Sequence, residues 1–295
     1  MQPFRLAILA LVVLSGIWGY NWVVMKQVIQ YIGPFDFSAI RTLLGAATLF
    51  LVLVVLRRPM KVGALPQVML LGLLQTGAFT ALIQWALVAG GAGKTAVLVY
   101  TMPFWTIPIA WWALGERVRG IQWLAIAIAA CGLVLILEPW NMGGSAFSNA
   151  LALLGGLTWG ASAVLAKRMR RDHDFDLLAL TAWQMLFGAL ALCLVASLLP
   201  SRPVDPTPYF FGALAFNAVL ATGLAWLLWL YILQHLSAGM AGLSALGIPM
   251  IGVLAGWIEL GERPSAAEFA GMLLIGGALA LVSLWSAWQS RRQGR

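Results

Sequence analysis

The sequence predicts an all-α polytopic membrane protein of ten transmembrane helices, arranged as two five-helix repeats that sit upside down relative to one another. Three observations lead there. The 295-residue chain is 62% apolar and 9% charged, where a soluble globular protein carries roughly 25% charged residues, and its mean hydropathy is +0.91. Its Lys and Arg residues fall between apolar runs and favour alternate connections. Short motifs recur in the same order at offsets of 141 to 146 residues. So few charges cannot hydrate a water-facing surface, which excludes a cytosolic enzyme, a secreted disulfide scaffold and a disordered chain.

A spanning helix needs about 20 mostly apolar residues, and ten such runs follow one another. The first, 6–26, begins after Arg5; Arg5 and the Leu6–Leu14 run resemble the start of a signal peptide, but no small-x-small cleavage site follows, so this helix is expected to be retained. Gly33-Pro34 separates it from 35–56, which ends at Arg58-Pro59; 67–89 ends at Gly90-Gly91; 94–113 contains Pro103 and ends at Gly115; 119–137 ends at Pro139. Gly143-Gly144 then divides the chain into halves at 1–144 and 145–295. The second half offers 149–167, 177–199 (closed by Pro200), 209–233 (after Pro203, Pro206 and Pro208), 239–258 with Pro249 inside, and 266–288 after Pro264.

The cations orient these spans. With the N-terminus inside, thirteen Lys and Arg residues lie on the cytoplasmic side, while Lys26, Lys94, Arg202 and Arg263 lie outside and Arg41 falls within a span. That asymmetry follows the positive-inside rule and puts both termini in the cytoplasm, which requires an even number of spans. The net charge of +8 is therefore no sign of a nucleic-acid partner. Cys131 and Cys193 both lie in apolar runs, forming neither a disulfide framework nor a metal spacing, and are expected to be small buried hydrophobes.

The repeat is explicit. Leu114-Gly115-Glu116-Arg117 returns as Leu260-Gly261-Glu262-Arg263, and Pro103 as Pro249, at an offset of 146. Ser15, Trp18, Gly19, Asn21 and Lys26 correspond to Gly156, Trp159, Gly160, Ser162 and Lys167, and Gly45 to Gly188, which sets Arg41 opposite Gln184. Five spans per half is an odd number, so the halves must be inverted. Inverted repeats are the architecture of secondary transporters, because exchanging the conformations of two halves turns an outward-open site inward.

The Trp-Gly-x-(Asn/Ser) elements at Trp18–Asn21 and Trp159–Ser162, Arg41, the two prolines and the paired Leu-Gly-Glu-Arg segments together resemble the EamA-type drug/metabolite transporter (DMT) superfamily, over essentially the whole chain. Within it, the aromatic-rich sequence most resembles the bacterial YddG-type amino-acid exporters. The resemblance implies a ten-helix basket around a central cavity in the bacterial inner membrane. It also implies a small-molecule substrate, amino acids and related metabolites, aromatic or apolar ones among them. It implies no cofactor, metal or nucleic acid, and leaves the oligomeric state open.

Ionisable groups at membrane depth are costly and are functional candidates. Every one of the ten acidic residues lies in a connection or in a terminal turn, so no mid-span carboxylate is available to carry a proton or bind Na⁺; this favours uniport or exchange. Arg41 is the embedded cation. It either snorkels outward beside Asp36, or lines the outer vestibule or braces the two halves. Lys26 and Lys94, at helix ends, are expected to anchor the interface. So few embedded cations argue against nucleotide-sugars and sugar phosphates.

The candidate substrate-binding residues are uncharged. Gln75 and Phe79 share one helical face with Leu82, and Thr76, Thr80 and Gln84 share the neighbouring one, either as interhelical glue or as cavity lining. Asn21 and Ser162 are repeat-related and mid-span; Gln184 and Asn217 are further candidates. Of the 15 tryptophans, Trp111, Trp112, Trp140, Trp285 and Trp288 suit interfacial belts, whereas Trp18, Trp105, Trp159, Trp183, Trp226 and Trp229 fall deeper, as does Tyr100. Deep rings can stack on apolar side chains and hold an ammonium over a ring face. Pro103 and Pro249 are expected to kink their helices, as bends or as hinges. The Leu-Gly-Glu-Arg segments have a structural role, with Gly115 and Gly261 suited to helix C-termini. Two rivals stand: a multidrug exporter of bulky organic cations, and a membrane-embedded enzyme, for which no polar catalytic cluster is found.

Overall fold

The computed structural model describes residues 2–115, 120–138, 146–235 and 247–293, and every regular element among them is a helix. In chain order these are α1 (Gln2–Val28), α2 (Pro34–Val55), α3 (Leu65–Ala89), α4 (Ala92–Leu114), α5 (Gly120–Leu137), α6 (Ala146–Asp172), α7 (Leu177–Leu198), α8 (208–235), α9 (Gly247–Leu260) and α10 (Ala266–Gln293). Eight of them, α1 to α8, are long and apolar enough to cross a membrane, and α9 and Ala266–Leu281 of α10 are shorter apolar stretches. Of the expected ninth span only the part from Gly247 is described. Glu116, Arg117, Trp140 and Gly143-Gly144 also lie outside the described residues.

Local chemistry sets the helix ends. The Asp176 carboxylate accepts from the Leu178 and Ala179 amides, both at 3.0 Å, and Thr207 Oγ1 accepts from the Phe210 amide, satisfying donors that the first turns of α7 and α8 leave open. Gly115 and Gly261 end α4 and α9 at φ +67° and +66°, the left-handed conformation that glycine adopts without a Cβ penalty. Two helices outlast their expected spans. α6 continues to Asp172 and so takes Lys167, Arg168, Arg170 and Arg171 into its last turns, and α10 continues to Gln293. Cations are good helix formers and complement the negative C-terminal end of the dipole.

Three details depart from regular spans. α3 and α8 each contain widened π-turns, at Leu73–Ala78 and Phe216–Leu224, with Thr76-Gly77 and Thr222-Gly223 at matching positions. α4 is broken: one segment ends at Val99, and the next begins at Met102. Pro103 is therefore not a kink inside a continuous helix. It sits in the first turn of the second segment, where its missing N–H costs nothing, and the break falls at Tyr100-Thr101. Thr101 patches the break, donating to the Leu98 carbonyl at 2.6 Å and accepting from Trp105 Nε1 at 3.1 Å. The proline inside this segment is Pro108. Pro249 is the third residue of α9 as described.

Packing runs between the halves. α5 lies against α10, α2 against α7, α1 against α9, and α6 against the second segment of α4. The close approaches come in matched pairs. A Cβ at Gly19 would lie 3.0 Å from the Ile248 carbonyl, and one at Gly160 would lie 3.1 Å from that of Met102. Gly45 of α2 receives Thr222 of α8, and Gly188 of α7 receives Thr76 of α3. Gly132 and Gly271 bring α5 and α10 to backbone contact. The outer surface is apolar, with Trp112 84% exposed, as a lipid-facing surface requires. Cys131 is on that exposed surface rather than buried, and Cys193 is half-buried.

The expected interface lysines instead tie helices together. Lys26 Nζ donates to the Leu87 carbonyl at 2.6 Å, and Lys94 pairs with Glu268 at 2.6 Å. Glu262, from the second Leu-Gly-Glu-Arg segment, caps α4 across the halves: its carboxylate accepts from the Ala92 and Gly93 amides at 2.7 and 3.0 Å.

Candidate functional site

Where the halves meet, the bundle holds a partly open cavity of about 170 Å³. α1 supplies a stripe at helical spacing: Leu11, Leu14, Ser15, Trp18, Asn21, Trp22 and Met25. α2 adds Arg41 and Thr42, and α3 adds Gln75, Thr76, Phe79, Thr80 and Ile83. Val99, Tyr100 and Met102 reach the cavity because α4 breaks there. The C-terminal half contributes Trp159, Met185, Ala221, Thr222, Trp226, Trp229 and Ile248.

Aromatic rings form one connected string through this lining. Trp229 and Trp226 each lie 6.1 Å from Trp18, centroid to centroid; Trp226 continues to Trp159 at 6.2 Å, and Trp159 to Phe79 at 4.7 Å. These are edge-on and tilted arrangements within the range in which ring pairs attract. Trp18 Nε1 donates to the Ala221 carbonyl at 2.9 Å, which fixes the central ring against the π-turns of α8.

Two polar groups in the lining are incompletely satisfied. Arg41 is 8% exposed; its Nη1 donates to Asn217 Oδ1 at 3.4 Å, and its Nε has no partner. Asn217 in turn donates to the Ala213 carbonyl, so it is held within α8. Asn21 is 7% exposed, and its Oδ1 has no partner. The expected pairing of Arg41 with Asp36 does not occur. Asp36 accepts from Ser201 Oγ, and Arg41 turns inward, one helical turn from the Phe37 ring, whose centroid lies 5.9 Å from Cζ.

Of the sequence candidates, Trp18, Asn21, Gln75, Phe79, Thr80, Tyr100 and Trp159 come together around the cavity, with Arg41 among them. Ser162 and Gln184 do not line it. Ser162 is fully buried and donates to the Trp159 carbonyl three residues back, and Gln184 is buried at the contact between α7 and α3. Leu82 and Gln84 turn away, the latter donating to the Met25 carbonyl. Trp105 bonds Thr101, and Trp183 bonds the Met60 carbonyl and stacks near Phe50 and Phe187. Trp22, Met25 and Thr42 were missed; the 3.6-residue period through Trp18 on α1 was the signal for the first two. Among the described residues no group of three or more His, Cys, Asp or Glu side chains converges.

The profile of the EamA-like transporter family matches residues 5–138 and again 146–284. The chain is 29% identical over 273 residues to Uncharacterized transporter YoaV of Bacillus subtilis (strain 168), covering 90% of this chain and 93% of that protein. It is 26% identical to the Uncharacterized inner membrane transporter YedA of Escherichia coli (strain K12), covering 93% and 90%. A riboflavin transporter of Rhizobium johnstonii is 30% identical over 191 residues, 64% of this chain and 59% of that one. A solved crystal structure superposes with a TM-score of 0.68 at 17% identity, covering 97% of this chain and 99% of that one, a likeness of fold.

Proposed function

The chain belongs to the EamA-like transporter family and is a multi-pass membrane transporter, and from that premise we propose that it exports amino acids and related small metabolites across the bacterial inner membrane by alternating access, as a uniporter or exchanger, in the manner of the YddG-type exporters. The carrying observation is the cavity itself: an aromatic string with a few polar groups, set between the two halves. Trp18, Asn21, Gln75, Phe79, Thr80, Tyr100 and Trp159 hold the substrate there, and Arg41 supplies the cation.

The architecture in this proposal is ten spans in two inverted repeats, 1–144 and 145–295, with both termini cytoplasmic. The double family match and the matched glycine contacts support it. Alternation then swaps the conformations of the repeats. The broken α4 and its counterpart α9 carry the moving segments, Pro103 following the break in α4 and Pro249 serving as its repeat-related hinge.

Cavity size and charge favour this cargo over its rivals. Sites for drug-sized ligands run from roughly 300 to 1,000 Å³, and 170 Å³ suits something smaller. Riboflavin, named for the Rhizobium relative, is a larger ring system. An embedded guanidinium repels the organic cations that a multidrug exporter would carry.

Counterflow in proteoliposomes is the test. Vesicles preloaded with unlabelled phenylalanine are expected to accelerate uptake of labelled phenylalanine, equally at pH 6 and pH 8 (roughly one unit to either side of neutral), since no mid-span carboxylate is there to titrate. Flux of ethidium or riboflavin without amino-acid flux would contradict the reading.

A further inference from the structure

We propose that Arg41 is the receptor for a carboxylate on the transported molecule and that Asn21 receives a hydrogen-bond donor, its amine, so that the N-terminal half reads both polar ends of a zwitterion. This rests on the amino-acid reading for the class of cargo but assigns the two ends separately.

The fold compensates Arg41 only in part, through the Asn217 amide and the face of the Phe37 ring. Among the described residues no carboxylate lies within ion-pair distance of its guanidinium, and its one hydrogen bond goes to a neutral amide at the long limit of 3.4 Å. Burying a charge with neither a counter-charge nor a full set of hydrogen bonds costs several kcal/mol. A snorkelling arginine escapes that cost by reaching water, but at 8% exposure Arg41 does not. Its Nε–H is buried and unpartnered on a side chain that lines the cavity, and an anionic group of the cargo supplies the missing acceptor. One guanidinium matches the single charge of a carboxylate better than a phosphate, which carries about −1.5 to −2.

Asn21 gives the second half of the argument. Its repeat partner Ser162 is satisfied by its own helix, so packing does not require an amide at this position. Asn21 lines the same cavity and its buried Oδ1 is an unpartnered acceptor, one turn from Trp18, whose ring neighbours Trp226 and Trp229. An open donor, an open acceptor and an aromatic wall together fit an α-amino acid with an apolar or aromatic side chain.

The test is binding to the purified full-length protein, read by intrinsic tryptophan fluorescence, with L-phenylalanine, phenethylamine (no carboxylate) and 3-phenylpropionate (no amine). Wild type is expected to bind phenylalanine about tenfold or more tightly than phenethylamine. Arg41→Gln is expected to erase that ratio and Arg41→Lys to keep part of it. Asn21→Ala is expected to narrow the ratio of phenylalanine to 3-phenylpropionate by about fivefold while leaving the phenethylamine ratio alone. Melting curves and gel filtration confirm that each variant is folded, and Arg41→Lys carries the test should Arg41→Gln not be. A wild-type phenylalanine-to-phenethylamine ratio in folded Arg41→Gln, or no response to any of the three probes in wild type, overturns the proposal. Preference for 3-phenylpropionate through Arg41, with no binding of phenylalanine, sinks the amino-acid reading and leaves the carboxylate receptor standing.

Discussion

Gly45 receives Thr222 and Gly188 receives Thr76; Gly19 meets the Ile248 carbonyl and Gly160 that of Met102. At the level of backbone contact, each half of the chain does to the other what is done to it. At the cavity the correspondence ends. Among the described residues, the N-terminal half brings Asn21, Arg41, Thr42, Gln75, Thr76, Thr80 and Tyr100, whereas the C-terminal half brings Trp159, Trp226, Trp229, Met185 and Ile248, with Thr222 the polar exception. Positions equivalent in sequence play different roles. Arg41 faces the cavity and Gln184 does not, and Asn21 keeps an open acceptor that Ser162 does not offer. Packing constrains shape on both sides equally, but recognition needs the polar groups only once.

The sharpest way to break this asymmetry is at the paired positions 41 and 184. Arg41→Gln is expected to lower kcat/KM for counterflow by about thirtyfold or more, the cost of removing one side of a buried charge pair, while Gln184→Leu leaves flux within about twofold, as for a site that touches no substrate. Equal losses in both would make the halves chemically equivalent. The shared skeleton gives the next effect. Gly45→Val and Gly188→Val each force side-chain bulk into a helix crossing, and each is expected to destabilise the protein by about 1–3 kcal/mol, read as matching drops in melting temperature. A loss in only one would show that the crossings are not equivalent.

Smaller effects separate the two walls. Trp159→Ala removes the link between Phe79 and Trp226 and is expected to raise KM for an aromatic amino acid about tenfold, with a lesser effect on alanine. Asn21→Ala is expected to raise KM about fivefold, whereas Ser162→Ala, whose hydroxyl bonds its own helix, stays within about twofold. Radiolabel uptake, with protein normalised by gel filtration, measures each of these.

Much of this was legible in the sequence, because lipid and repetition both leave periodic marks. Apolar runs mark the helices, and the recurring Trp-Gly and Leu-Gly-Glu-Arg elements are the sequence signal for matching α1 to α6 and α4 to α9 as proposed repeats. What was not legible depends on contacts far apart in the chain. Nothing near Asp36 says that Ser201 will take its carboxylate and leave Arg41 to turn inward. Ser162 and Asn21 are alike by position, and only the three-residue bond back to Trp159 separates them. Pro103 correctly marked α4 as special, but the break lies at Tyr100-Thr101, since a proline is accommodated by ending the helix before it. The role of Glu262 as a cap on α4 is invisible over 170 residues of separation.

Opposite orientation of the two halves is the premise of alternating access, and it is testable by side-specific labelling. With Cys131 and Cys193 replaced by serine, Met60→Cys and Arg263→Cys are each treated with a membrane-impermeant maleimide on intact cells and again after permeabilisation. Position 263 is expected to react on intact cells and position 60 only after permeabilisation. Reaction of both from the same side would contradict the inverted arrangement and, with it, transport by exchange of the two halves.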